Sequence, residues 1–243
     1  MSDGIYIALN GARAEGDKVD VVATNLANAA TAGYQRLRPV FHEALANAQA
    51  SATPLQHCAT ASTELDTTRG SLRVTGRALD VTLPDASYLS LITPRGERYT
   101  RAGSLAVGTD GTLRTRTGDA LASEAGNTVQ LAPDKGDVSL SPAGEVSQDG
   151  QVLARLKIVT FPSPRQLRPE GSSTLAATPA SGAPTPAAGK LDIGSLEESN
   201  TSVVGSMSEL VSASRAFDAF QRAIDAFHQA DEKVTTTVPN ADQ

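Results

Sequence analysis

Hydrophobic positions divide the chain into three stretches with different periods. From Gly4 to Ala30 the period is helical. With Ile5 at heptad position a, that position holds Ile5, Ala12, Val19 and Leu26. Position d holds Ala8, Glu15, Val22 and Ala29, so one polar residue interrupts an otherwise apolar stripe, and Leu9 and Ala23 widen it at e. Gly33 follows as a natural left-handed stop after a frayed Thr31-Ala32 turn. A short second helix is expected from Pro39 to about Gln49. Between Thr63 and Leu175 the period drops to two: Leu79-Val81-Leu83, Tyr88 to Leu91, Leu105-Val107 and Val138-Leu140 alternate as half-buried strands do. Asp110-Gly111 and Asp149-Gly150 each separate two such runs, and Asp-Gly there predicts type I′ hairpin turns. The expected middle domain is compact, mainly antiparallel and covered on one face, with Thr, Arg and Ser outward.

Residues 176–189, rich in Ala, Pro, Thr and Gly, form a low-complexity loop with no evident means of burying itself. Gly189-Lys190 lacks the spacing and the Ser or Thr of a phosphate-binding loop. Helical period returns from about Thr201 to Val234. Val203, Val204, Met207, Leu210, Val211, Ser214, Phe217, Gln221, Ile224 and His228 form its stripe, flanked by Phe220 and Phe227. Ser206 and Glu209 have capping-box spacing, but Val203 and Val204 argue for a start at Asn200 or Ser202. The polar tail from Thr235 is expected to fray.

The pattern therefore predicts an α+β chain: long terminal helices packed together, with an antiparallel β domain between them. The domains expected are a helical one from 1–36 and 196–243, a connector at 37–62 and a β-rich outer domain at 63–195. Composition sharpens this. Of 243 residues 38 are Ala, aromatics are 4% and Trp is absent, so a seam between the terminal helices is narrow and buries modest area. A closed helical hairpin would leave Leu9, Val204, Phe220 and Phe227 partly uncovered. That favours burial against other copies over a self-sufficient monomer.

Charge and chemistry exclude more than they add. A net charge of −6 is wrong for a nucleic-acid partner. No apolar run reaches membrane-spanning length, and the polar N-terminus is not a cleavable secretory signal. The single Cys58, next to His57, forms no disulfide framework and has no second ligand pair; His42 and His228 are equally isolated. There is no G-x-S-x-G, no H-E-x-x-H and no carboxylate pair beside aromatics, so no catalytic, cofactor or metal residues are assigned.

Ala23-Thr24-Asn25-Leu26-Ala27-Asn28, followed by Thr31-Ala32-Gly33-Tyr34-Gln35-Arg36, resembles the N-terminal motif of the flagellar rod and hook proteins. The resemblance continues through Arg77 to Leu83, Tyr99 to Leu105 and Asp110 to Leu113. It closes with Leu196 to Thr201 and Met207 to Asp218. One departure is Pro84-Asp85-Ala86-Ser87 where relatives have a glycine-rich step.

The resemblance implies a non-enzymatic axial subunit of the basal-body rod, which transmits torque. It implies partners among other rod proteins and copies of itself, and periplasmic delivery by the flagellar type III export apparatus without a cleaved signal. The chain's length, Gly4 to Ala8 and the short stretch before Gly70 point to the proximal rod, with a distal rod or hook-type protein as alternative. A non-flagellar β-rich binding or adhesin module is the reading from a different class.

The implied interface is Ile5, Leu9, Val19, Val22 and Leu26 on the first helix. On the last it is Val204, Met207, Leu210, Val211, Arg215, Phe217 and Ile224. Asn25, Asn28 and Gly33 either fix the helix end or, for the two Asn, sit exposed. Arg215 either pairs with a neighbour's acid or is solvated.

Overall fold

The computed structural model describes residues 3–44, 58–132 and 136–237. Two helices flank a β-rich region in which the described strand pairs are antiparallel, an α+β architecture. The chain divides into two compact units. One gathers the described parts of 1–26, 37–63 and 203–243; the other holds 27–36 and 64–202.

In the first unit, α1 spans Asp3–Ala27 and α2 spans Val203–Thr237. They are about 38 and 52 Å long at 1.5 Å per residue. The α2 helix starts immediately after Ser202, so Ser206 lies inside it, buried, and is not a cap. Thr235 to Thr237 remain helical rather than frayed, and 238–243 lie outside the described residues.

The expected helix from Pro39 is instead the strand Leu37–Ala44, paired with Cys58–Leu65; 45–49 lie outside the described residues. Pro at a helix start and Pro in a two-stranded ribbon read alike locally. A ribbon strand has one free edge, where the missing N–H costs nothing. Pairing with Cys58–Leu65, distant in sequence, decided between them.

The second unit is built around a nine-stranded sheet. At its centre Ser87–Thr93 pairs with Gly96–Thr100, Ala120–Leu121 and Ile158–Thr160. This strand is buried on both faces, not one. Leu89 and Leu91 join Leu140 and Val146 of the three-stranded sheet (Val138–Leu140, Glu145–Gln148, Gln151–Arg155) in the main core. On the opposite face Tyr88 and Tyr99 meet Phe161 edge-on, with ring centroids 6.0 and 4.8 Å apart. Leu and Val make up the core cluster, which is how a chain with few aromatics fills its interior.

The two Asp-Gly turns differ. Asp149 and Gly150 both have positive φ, as a type I′ turn requires, and join Gln148 directly to Gln151. At Asp110-Gly111 only the Gly is left-handed, and the loop from Gly108 to Thr112 is longer. Asp110 instead accepts from the Thr112 N–H and hydroxyl and from Arg114.

The low-complexity stretch is not loose. Ser181 is buried and holds a turn with Thr178, and Thr185–Pro186 pairs with Val159 and Thr160. Its backbone groups are satisfied by local hydroxyls and an edge strand, so little apolar area is needed.

In the turn where the family resemblance leads one to expect glycine, Ala86 adopts φ 52°, a left-handed conformation that glycine suits best, and the Ser87 N–H donates to the Pro84 carbonyl.

Candidate assembly interface

The two helices meet through a glycine–phenylalanine register. The Phe227 ring lies over Gly4, Phe220 over Gly11 and Phe217 over Gly16. Rising numbers on one helix meet falling numbers on the other, which makes the pair antiparallel. A Cβ on Gly4 would sit 2.8 Å from the Phe227 ring, and one on Gly11 would overlap Phe220. Phe220 and Phe227 therefore turn toward α1, Phe220 half-buried and Phe227 still partly exposed. They fill notches that glycine alone leaves open. Gly4 and Gly11 are seven residues apart, as are Phe220 and Phe227, and that matched spacing was the signal in the sequence for this seam.

The α1 face turned inward comprises Ile5, Ala8, Ala12 and Val22, all buried, with Val19 and Leu26 half-buried. It widens at heptad position g, through Gly4, Gly11 and the buried Asn25; at e, Gly16 meets Phe217, but Leu9 and Ala23 are exposed, not packed as expected. On α2, Ala213 and Ser206 are buried, and Leu210, Phe217 and Ile224 are half-buried. The remaining assigned residues point elsewhere. Val204 is 79% exposed, and Met207 and Val211 are about half exposed, with Val203 beside them. Arg215 is exposed and lines a shallow groove of about 470 Å³ with Met207, Ser208, Val211 and Ser212. On α1, Tyr6 and Ile7 join Leu9 on a second uncovered apolar face; the sequence pattern passed over both. Closing the hairpin thus covers one stripe per helix and leaves another on each.

The helix end is fixed by side chains. Asn25 is buried, and its Nδ2 donates to the Leu37 carbonyl while its Oδ1 accepts the Leu37 N–H, both at 2.8 Å. That pair mimics one rung of a β-ladder and returns the chain beside the helix. Asn28 is half-buried, and its carbonyl accepts the Thr31 N–H. Ala27 is exposed.

In the β-rich unit, Gly33 has φ 68° and donates its N–H to the Glu197 carbonyl. A Cβ there would lie 2.5 Å from the Ala102 nitrogen, so both conformation and space require glycine. Tyr34 is buried, and burial pushes its phenol up to about 12. Neighbouring Gln35 accepts from the Tyr88 hydroxyl.

No cluster of His, Cys, Asp or Glu among the described residues has the makings of a metal site, and no described helix is long and apolar enough to cross a membrane. The arrangement offers surfaces rather than a reactive cleft.

Comparison with known proteins agrees with that character. Residues 5–35 match the family described as flagella basal body rod protein. Residues 193–237 match the flagellar basal body rod FlgEFG protein C-terminal family. The chain is 33% identical to the flagellar basal-body rod protein FlgF of Escherichia coli (strain K12) over 236 residues, covering 90% of this chain and 91% of that protein. It is 29% identical to FlgF of Rhizobium meliloti (strain 1021) over 223 residues, with 90% of each covered. It is 28% identical to FlgG of Bacillus subtilis (strain 168) over 247 residues, covering 90% and 92%. The chain belongs to the flagellar basal-body rod protein family of FlgF and FlgG. It is a structural component of the basal body and not an enzyme.

Proposed function

We propose that this chain is an axial subunit of the proximal rod, assembling through its terminal helices with copies of itself and with other rod proteins to transmit torque. The observation that carries the reading is the pair of apolar faces left uncovered after the helices have already packed on each other. A monomer has no use for Val204, Met207 and Val211 on one outer face and Tyr6, Ile7 and Leu9 on another. Each becomes useful once a neighbouring helix covers it, at about 25 cal/mol per Å² of apolar area removed from water. Arg215, at the edge of the α2 face, is placed to pair with an acidic residue of such a neighbour.

The proximal assignment over the distal one rests on Gly4 to Ala8 and on the short stretch before Gly70. Delivery is proposed to follow the flagellar export route, consistent with a chain whose single Cys allows no internal disulfide.

The test is deletion of the gene, followed by electron cryotomography of the basal body. Loss of every rod segment beyond the innermost is expected. A complete proximal rod with only its distal part missing would assign the chain to the distal rod. An unchanged rod would overturn the axial reading.

A further inference from the structure

We infer that the buried pair Arg101–Glu197 is a completion lock, which keeps the β-rich unit from folding until its last segment, residues 191–200, is in place. The inference does not rest on the rod reading.

Arg101 and Glu197 have side chains only 2% and 4% exposed. The Arg101 Nε donates to both carboxylate oxygens at 2.9 Å, and Nη2 lies 2.7 Å from Oε2. Nη1 donates to the carbonyls of Pro84 and Ser87. The guanidinium is thus held in the interior by groups near it in sequence, while the anion that neutralises it comes 96 residues later. A buried cation without its partner costs far more than a missing surface contact. Any arrangement of this unit that lacks residue 197 carries that penalty.

The same late segment closes several other early ones. Asp192–Ile193 pairs with Val81–Thr82, and Ser195–Glu197 pairs with Leu72–Val74. The Gly33 N–H ends on the Glu197 carbonyl, and the Gly70 N–H on its carboxylate. Asn200 accepts from the Arg36 N–H and donates to the carbonyls of Asp66 and Thr68. Gly70 approaches the Glu198 backbone so closely that a Cβ there would overlap the carbonyl oxygen. Leu191 lies in the main core. Residues 33–36, 66–76 and 80–104 are therefore each incomplete alone. Their shared partner is the segment that leads straight into α2. Loop closure over such separations is slow, so partial structures would have time to form were they stable. The unpaired Arg101 makes them unstable.

Pulse-labelled hydrogen exchange during refolding of the full chain tests this. The amides of Val81, Ser90 and Leu105, whose partners Gly103, Lys157 and Leu79 all precede the last segment, should gain protection in the same kinetic phase as those of Gly33, Gly194 and Glu198. Protection of the first three in an earlier phase, with the late segment still open, would overturn the lock. Native-state exchange on variants gives the second arm. Glu197→Gln should speed exchange at Val81, Ser90 and Leu105 roughly 100-fold or more, the size expected for an uncompensated buried charge. Adding Arg101→Met should recover at least about tenfold of that, because the stranded charge is gone. Acceleration confined to 194–198 contradicts the proposal, as does a double variant no better than Glu197→Gln. If Glu197→Gln does not fold, a folded double variant supports the lock and an unfolded one overturns it.

Discussion

Asn25 shows how one side chain sets the path of a chain. Its amide satisfies both backbone groups of Leu37 away from water, so Asn25→Ala strands a buried donor and a buried acceptor. At roughly 1–3 kcal/mol for each such group, the expected loss is about 2–6 kcal/mol in urea unfolding. Asn25→Asp keeps the acceptor but sets a buried carboxylate oxygen against the Leu37 carbonyl, so it should lose at least as much as Asn25→Ala; a smaller loss would mean that the donated bond contributes nothing. Ala86 runs the other way. At φ 52° it carries about 1–2 kcal/mol of left-handed strain. Replacement by glycine removes the strain and adds about 0.4–1 kcal/mol of unfolded-state entropy. Ala86→Gly should therefore raise stability by about 0.5–1 kcal/mol, and a neutral or negative result would refute the strain.

Two carboxylates give the β-rich unit an acid limit. Burial alone would raise Glu97, but hydrogen bonds from Lys157 and Ser90 outweigh it and hold the group below its ordinary 4.5. Glu170 is held down by hydrogen bonds from Arg98 and Arg168. A folded value below the unfolded one gives stability that is present above pH 4.5 and lost as the pH falls through the folded value. Unfolding free energy should therefore drop with acid below that point, with a shallower drop in Glu170→Gln. An identical slope in that variant would remove Glu170 from the account.

At the scale of elements, the helix pair depends on where glycine sits rather than on how much apolar area each helix carries. A Cβ on Gly11 would overlap the Phe220 ring, whereas one on Gly16 would lie 3.5 Å from Phe217, an ordinary contact. Gly11→Ala should cost about 1–3 kcal/mol through overpacking, offset by about 1 kcal/mol of helix propensity. Gly16→Ala gains the propensity without the clash and should stabilise by up to about 1 kcal/mol. Thermal melts of the two variants should move in opposite directions; shifts of the same sign would refute the register.

Local rules carried the reading far where they had no competitor. The heptads of both helices, the left-handed Gly33 and the tight turn at Asp149-Gly150 were legible because each is fixed by its immediate neighbours. Pro39 was not, because a helix start and a ribbon strand share that signal and the deciding partner is residues 58–65. The packed flank of α1 was misplaced for a similar reason: Ala23 is exposed and Phe220 and Phe227 turn toward Gly11 and Gly4, although Leu9 and Phe227 stay partly uncovered as expected. A heptad count shows that a stripe exists, but which flank it widens on depends on the shape of the facing helix. The closing contacts at 191–200 were invisible, since nothing in a short strand names a partner over a hundred residues away.

At the scale of the whole molecule, scarce aromatics and abundant alanine describe two economies. The β-rich unit fills its core with Leu and Val and seals it with a buried ion pair. The helices pack closely through glycine and alanine, which keeps the seam narrow and leaves apolar residues uncovered on each, the faces proposed to meet neighbouring subunits. The acidic balance is that of a solvated exterior.

The most direct test replaces the outward stripe without touching the inward one. Val204→Asp/Met207→Asp, supplied as the only copy in a strain lacking the gene, changes residues that are about half exposed or more in the subunit. The purified variant should match the parent in circular dichroism and unfolding midpoint, while cryotomography finds no rod beyond the point where this subunit joins. A folded variant that builds normal rods would contradict the claim that these helices assemble through their uncovered faces.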